Sequence, residues 1–97
     1  MARIELATKV LQDFERFIDH LLRTGAADAP ERIEEIIQAL DILTHSPLLG
    51  RPVKNGNREL VVGRDAGGYV ALYRFAEVID TVFVLAIRSQ REAGYRR

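Results

Sequence analysis

Residues 81–97 read TVFVLAIRSQREAGYRR, and the reading of this stretch decides the fold. The unbroken apolar run over residues 82–87 has the length and β-branched character of a buried strand. It passes without a linker into Arg88, Ser89, Gln90, Arg91 and Glu92, so a hydrophobic core ends where a polar, basic surface begins. A rigid strand then carries guanidinium groups on its end, which positions a site more accurately than a free loop does. Residues 88–97 hold four arginines and Tyr95 against one acid.

Working outward, residues 69–75 and 58–63 read as two further strands. The first is separated from residues 81–88 by a turn over 76–80, the second from the first by Asp65, Ala66, Gly67 and Gly68. Residues 46–57 contain Pro47, Gly50, Pro52, Asn55, Gly56 and Asn57 and read as a long connection. Asn55-Gly56 is a hairpin signal in isolation, but Arg51-Pro52-Val53-Lys54 makes a poor strand. Upstream, Ile33, Ile36, Ile37, Leu40 and Leu43 form one helical stripe flanked by Ala39 and Ile42. Asp28, Pro30 and Glu31 mark its start, and Pro47 ends it.

An earlier helix starts at Thr8, read as its N-cap, and carries Val10, Leu11, Phe14, Phe17, Ile18, Leu21 and Leu22 at three-four spacing. It stops near Thr24 and Gly25. In residues 2–7 Ile4 and Leu6 alternate with Arg3 and Glu5, which suits a short edge strand. The order βααβββ predicts an α+β fold, a mostly antiparallel sheet packed on an N-terminal two-helix hairpin, with residues 1–97 forming a single domain.

The chain has no cysteine, which excludes disulfides, thiolate zinc sites and cysteine nucleophiles. Arg3, Glu5 and Lys9 break any signal-like apolar segment, and no run reaches the ~20 residues of a membrane span, so a soluble cytoplasmic protein is expected. The net charge of zero conceals a dipole. Residues 1–50 carry five basic against nine acidic residues, whereas residues 51–97 carry nine against five.

Strict alternation would place Tyr69, Ala71, Tyr73 and Phe75 on one face and Val70, Leu72 and Arg74 on the other. In the last strand it sets Phe83, Leu85 and Ile87 against Val82, Val84 and Ala86. Both faces are then apolar, and two helices cover only one. Val70, Leu72, Val82 and Val84 are therefore expected to be covered by the C-terminal tail, a second copy or a partner, the alternative being that sheet twist and long side chains hide them.

Catalytic groups are scarce. Gly63, Gly67 and Gly68 sit in a hairpin and not between a strand and a helix, so they form no phosphate loop. His20 and His45 lack neighbouring metal ligands, and no metal or cofactor is expected. Glu34 and Glu35, like Asp13 and Glu15, diverge on their helices. What remains is Arg58, Arg64, Arg74, Arg88, Arg91, Arg96, Arg97 and Tyr95, a set that suits either phosphate binding or stabilisation of a phosphorane in RNA cleavage.

The segments RELVVG (58–63), GYVALYRF (68–75) and TVFVLAIRSQREAGY (81–95), behind a short strand and a helical hairpin, resemble the RelE/ParE superfamily of type II toxin–antitoxin toxins. Gln90-Arg91-Glu92 after the strand ending at Arg88 is similar to the ParE branch. The resemblance implies a small toxin, associated with plasmid stabilisation and neutralised by a cognate ParD-like antitoxin. ParE-type members inhibit DNA gyrase; RelE-type members cleave mRNA in the ribosome. RelE-type nucleases use a strand arginine at a position that here reads Val70, with Arg91 and Tyr95 matching the other two catalytic positions. That mismatch and the zero net charge favour the ParE-like reading.

On that reading the chain is an inhibitor and not a catalyst. Arg88, Gln90, Arg91, Tyr95, Arg96 and Arg97 recognise the target, Val70, Leu72, Val82 and Val84 bind the antitoxin, and the toxin alone makes no sequence-specific contact with nucleic acid. The alternatives are a RelE-like endoribonuclease and a non-toxic binding module that kept the fold.

Overall fold

In the computed structural model, which describes residues 1–23, 25, 29–63 and 68–90, β1 (Arg3–Leu6) leads into α1 (Thr8–Arg23) and α2 (Ala29–Ile42). The strands β2 (Arg51–Pro52), β3 (Arg58–Val62), β4 (Tyr69–Ala76) and β5 (Thr81–Ser89) follow. They form one sheet in the order β1-β5-β4-β3-β2. Every pairing is antiparallel except β1 on β5, which is parallel. The α+β class and the helical hairpin are as the sequence predicts. Ala7, not Thr8, holds the cap position of α1, because Val10 N donates to Ala7 O at 2.9 Å. The expected start signal of α2 at Asp28 and the turn over residues 64–67 lie outside the described residues.

The sheet has a fifth strand, β2, where the sequence predicts a long connection. Asn55 and Gly56 both take positive φ, 65° and 76°, within the three-residue turn Lys54–Gly56 that returns β2 onto β3. Val53 N donates to Asn57 O at 2.9 Å and Asn57 N to Lys54 O at 3.3 Å, closing the turn. Pro52 is accommodated because β2 is an edge strand two residues long.

The second departure is in β5. Its register against β4 slips between Leu72 and Tyr73: Tyr73 pairs with Val84 but Leu72 with Ala86, so Leu85 is an extra residue. Partners across antiparallel strands share a face. Val82 and Val84 therefore lie on the face of Phe75 and Tyr73, and beyond the bulge Ile87 joins them beside Ala71. Strict alternation, which put Val82 and Val84 on the opposite face from Ile87, is corrected: all three are 0–2% exposed and belong to the core beneath the helices.

That core also takes Val10 and Phe17 from α1, Ile36 and Leu40 from α2, and Leu43. Leu11, Ile18 and Leu22 of the predicted α1 stripe stay exposed, as do Ile37 of the predicted α2 stripe and Ile42 flanking it. A carboxylate, Asp13, is buried among the apolar residues of α1 instead.

The connection from α2 to β2 is locked from below. The Tyr73 hydroxyl, fully buried, accepts from Gly50 N at 2.7 Å. Arg58 Nη1 donates to Gly50 O at 2.8 Å and to Leu48 O at 3.1 Å. A Cβ on Gly50 would stand 2.7 Å from Glu59 O and from the Tyr73 ring and hydroxyl. Gly50→Ala is therefore expected to lower stability by about 1–3 kcal/mol, read as a lower urea midpoint at unchanged slope.

Burial raises the Tyr73 pKa above its ordinary value, outweighing the Gly50 N–H and the Arg58 charge, which both lower it. The folded state thus holds the phenol proton more tightly than the unfolded chain. Its contribution is complete below the unfolded pKa of 10.0 and is lost as pH rises from there through the folded value. Alkaline titration of stability should show this loss in the native chain and not in Tyr73→Phe.

Candidate functional site at the end of β5

The end of β5 is fixed by backbone contacts on both of its edges. On one edge, Gln90 N donates to Gly68 O at 3.0 Å, prolonging the ladder after the Tyr69–Ser89 pair. Gly68 is buried here, and a Cβ would stand 2.7 Å from Val62 O and run into the Gln90 amide. On the other edge β1 has already ended. Its last bond is Ala7 N to Val84 O at 3.0 Å. The bulge turns the following backbone so that Ile87 N–H faces this vacant side, where Asp13 Oδ2 accepts from it at 3.0 Å.

Asp13 is 1% exposed. Its Oδ1 receives Arg16 Nη1 at 3.1 Å and Lys9 Nζ at 3.4 Å, one turn away on either side along α1. A carboxylate taken out of water at this depth is tolerable because cations and a backbone donor meet both oxygens. The Arg16 guanidinium also lies 4.8 Å over the Phe17 ring, and Phe17 meets Tyr69 at 4.9 Å between centroids. Loss of the Asp13 acceptor would leave a buried N–H unsatisfied, a cost of about 1–3 kcal/mol.

Arg88 sits opposite Val70 on the sheet face away from the helices and is half-buried, with its Nη1 donating to Ser89 O at 3.3 Å. Val61 pairs with Val70 on the same row and is 54% exposed. A second row runs through Glu59, Leu72 and Ala86. Glu59 is held by Arg51, whose Nη2 and Nε reach its Oε1 at 2.8 and 3.3 Å.

Of the expected target-recognition residues, Arg88 and Gln90 are thus brought to one end of the sheet. Arg91, Tyr95, Arg96 and Arg97 lie outside the described residues. Of the four residues expected to meet an antitoxin, Val70 and Leu72 are on the outer face, Val70 at 4% exposure, while Val82 and Val84 are enclosed by the helices. His20 and His45 are exposed, and among the described residues no group of three or more metal-ligating side chains is assembled.

An open groove of about 620 Å³ runs between α2 and β3, lined by Ala39, Ile42, Leu49, Leu60 and Val62 with Glu35 at its rim. Sequence reasoning missed both this groove and Asp13. The exposed Ile37, Ile42 and Leu49, apolar residues in excess of one core-facing stripe, were the signal for the first. An acid at the three-residue spacing that links Val10, Asp13 and Arg16 was the signal for the second.

A two-helix hairpin on a mostly antiparallel sheet whose last strand ends in a basic edge defines the class of RelE/ParE-type toxins. The model of the ParE toxin of the type II toxin–antitoxin system parDE matches residues 4–94, and the chain belongs to that family. Among solved structures, the chromosomal ParDE toxin–antitoxin system from P. aeruginosa superposes with a TM-score of 0.73 at 22% identity, over 92% of this chain and 96% of that one. The toxin–antitoxin complex RelBE2 from Mycobacterium tuberculosis follows at 0.58 and 19%, over 92% and 98%. A metal-bound toxin from Helicobacter pylori gives 0.52 and 14%, over 97% and 100%. At these identities the likeness is one of fold. No curated protein sequence matches the chain.

Gly68→Ala tests the packing of this end: displacement of Gln90 and Val62 is expected to lower stability by about 1–3 kcal/mol and to weaken growth arrest on expression of the toxin.

Proposed function

We propose that this ParE-family toxin inhibits DNA gyrase through the basic end of β5, that it acts in the cytoplasm, and that a ParD-like antitoxin neutralises it. The observation that carries this reading is the pairing of Arg88 with Val70 on the outer face. A ribonuclease of the RelE type would carry a guanidinium where Val70 stands, acting with the positions matched by Arg91 and Tyr95 on the charge of a cleavage transition state. With an apolar partner there, Arg88 and Gln90 are better suited to gripping a large macromolecular surface than to stabilising a transferred phosphoryl group. Purified toxin added to a supercoiling reaction is expected to accumulate cleaved DNA while leaving ribosome-programmed mRNA intact. Cleaved mRNA with normal supercoiling would instead make the chain a RelE-like endoribonuclease, and inactivity in both assays would make it a binding module.

Antitoxin binding finds its support in the α2–β3 groove and not at Val82 and Val84. β2 accompanies β3 only as far as Glu59, so among the described residues no strand flanks Val61 on that edge, directly beside the apolar groove wall. A segment of a partner with apolar side chains gains burial there at about 25 cal/mol per Å². Ile42 and Leu49 are 50% and 56% exposed, so changing them costs the isolated toxin little. The double variant Ile42→Asp with Leu49→Asp should weaken antitoxin affinity at least ~10-fold, measured by calorimetry, and leave growth arrest intact.

A further inference from the structure

We propose that Asp13 is a positioning residue for the target-recognition edge: through its bond to Ile87 N it fixes the backbone from which Arg88 and Gln90 project. The inference rests on the reading of that edge as the recognition surface, and it assigns a role to a helix residue well outside it. Three features converge on Asp13. β1 stops at Leu6, so among the described residues β5 beyond Val84 has no neighbouring strand on that side. The Leu85 bulge rotates Ile87 N–H into the gap, where a ladder partner would have stood. A short side chain from α1 then supplies the acceptor at 3.0 Å, almost wholly out of water.

The opposite edge is pinned three residues later by Gln90 N on Gly68 O, so Arg88 lies between two anchors. Lys9 and Arg16 hold the other carboxylate oxygen and so fix the rotation of the group. A charged acceptor makes a stronger bond to an N–H than a neutral one, and the tie is correspondingly stiffer. Without it, Ile87 N–H loses the acceptor it has in the structure. The strand end can then fray while the rest of the sheet stays paired.

Amide hydrogen exchange on the purified full chain reads the tie directly, and growth arrest on induced expression reads its consequence. Asp13→Ala is expected to speed exchange at Ile87, Arg88, Ser89 and Gln90 by roughly ten-fold or more, with Leu60 and Ala71 changing less than about two-fold. Growth arrest should weaken as it does in Arg88→Ala. Asp13→Asn keeps the volume and a neutral acceptor and should give a smaller rise at the same four amides; it carries the test if the alanine variant does not fold. Unchanged exchange at residues 87–90, or a uniform rise across the sheet, would overturn the proposal. So would a selective rise with undiminished arrest in a background where Arg88→Ala abolishes it. If Arg88→Ala arrests growth as the native chain does, the recognition reading of the edge fails, while the exchange pattern still decides whether Asp13 holds it.

Discussion

The one-residue slip between β4 and β5 at Leu85 is the constraint on which the rest of the structure depends. A strand nine residues long with strict alternation would send half its apolar side chains to each face. The bulge lets Val82, Val84 and Ile87 share the helix-covered face while Arg88 emerges on the other, so one strand supplies both core and outer-face side chains. The same rotation reorients the main chain and brings α1 into contact with the sheet through Asp13 as well as through Val10 and Phe17. Side-chain burial and backbone hydrogen bonding are thereby set by a single inserted residue.

Polar groups inside this protein hold segments in place, each with its partners at hand. Tyr73 and Arg58 hold the chain around Gly50 to the sheet from beneath, Arg51 secures Glu59 at the far edge, and Asp13 ties α1 to β5. The Tyr73–Gly50 and Asp13–Ile87 bonds join elements 23 and 74 residues apart, while the Arg58 and Arg51 contacts close spans of eight. Buried polar groups of this kind are costly when half-satisfied and selective when fully satisfied, since alternative packings leave a donor or acceptor stranded. They define where the loop and the strand end sit more sharply than the apolar contacts alone would.

Much of the architecture was legible in the sequence because it is periodic. The two helical stripes, the turn residues and the apolar run of residues 82–87 gave the class, the order of the elements and the last strand, and the segments around them pointed to the RelE/ParE superfamily. What escaped reading was aperiodic. A bulge has no composition of its own, so Val82 and Val84 were assigned by alternation to the wrong face. Arg51-Pro52 is a poor strand by propensity and pairs only because the Asn55-Gly56 turn folds it back on β3. Asp13 interrupts no apolar repeat, and its acceptor role depends on where β1 ends, which is a tertiary fact. Arg88 and Gln90 could be identified as chemistry from the chain, but their neighbours across the sheet could not.

The parallel pairing of β1 with β5 has a temporal side. Arg3 stands beside Thr81, so the first strand made must wait for the last before it gains a neighbour. β5 is also an interior strand of the finished sheet, between β1 and β4, and until it is synthesised the β4 edge and the underside of the helices have nothing to close on. Contacts this remote in sequence form late and make folding slow. A nascent chain that has not yet reached residue 89 cannot complete this core, because Val82, Val84 and Ile87 are part of it. Products cut short before residue 81 carry neither a complete core nor the strand from which Arg88 and Gln90 project.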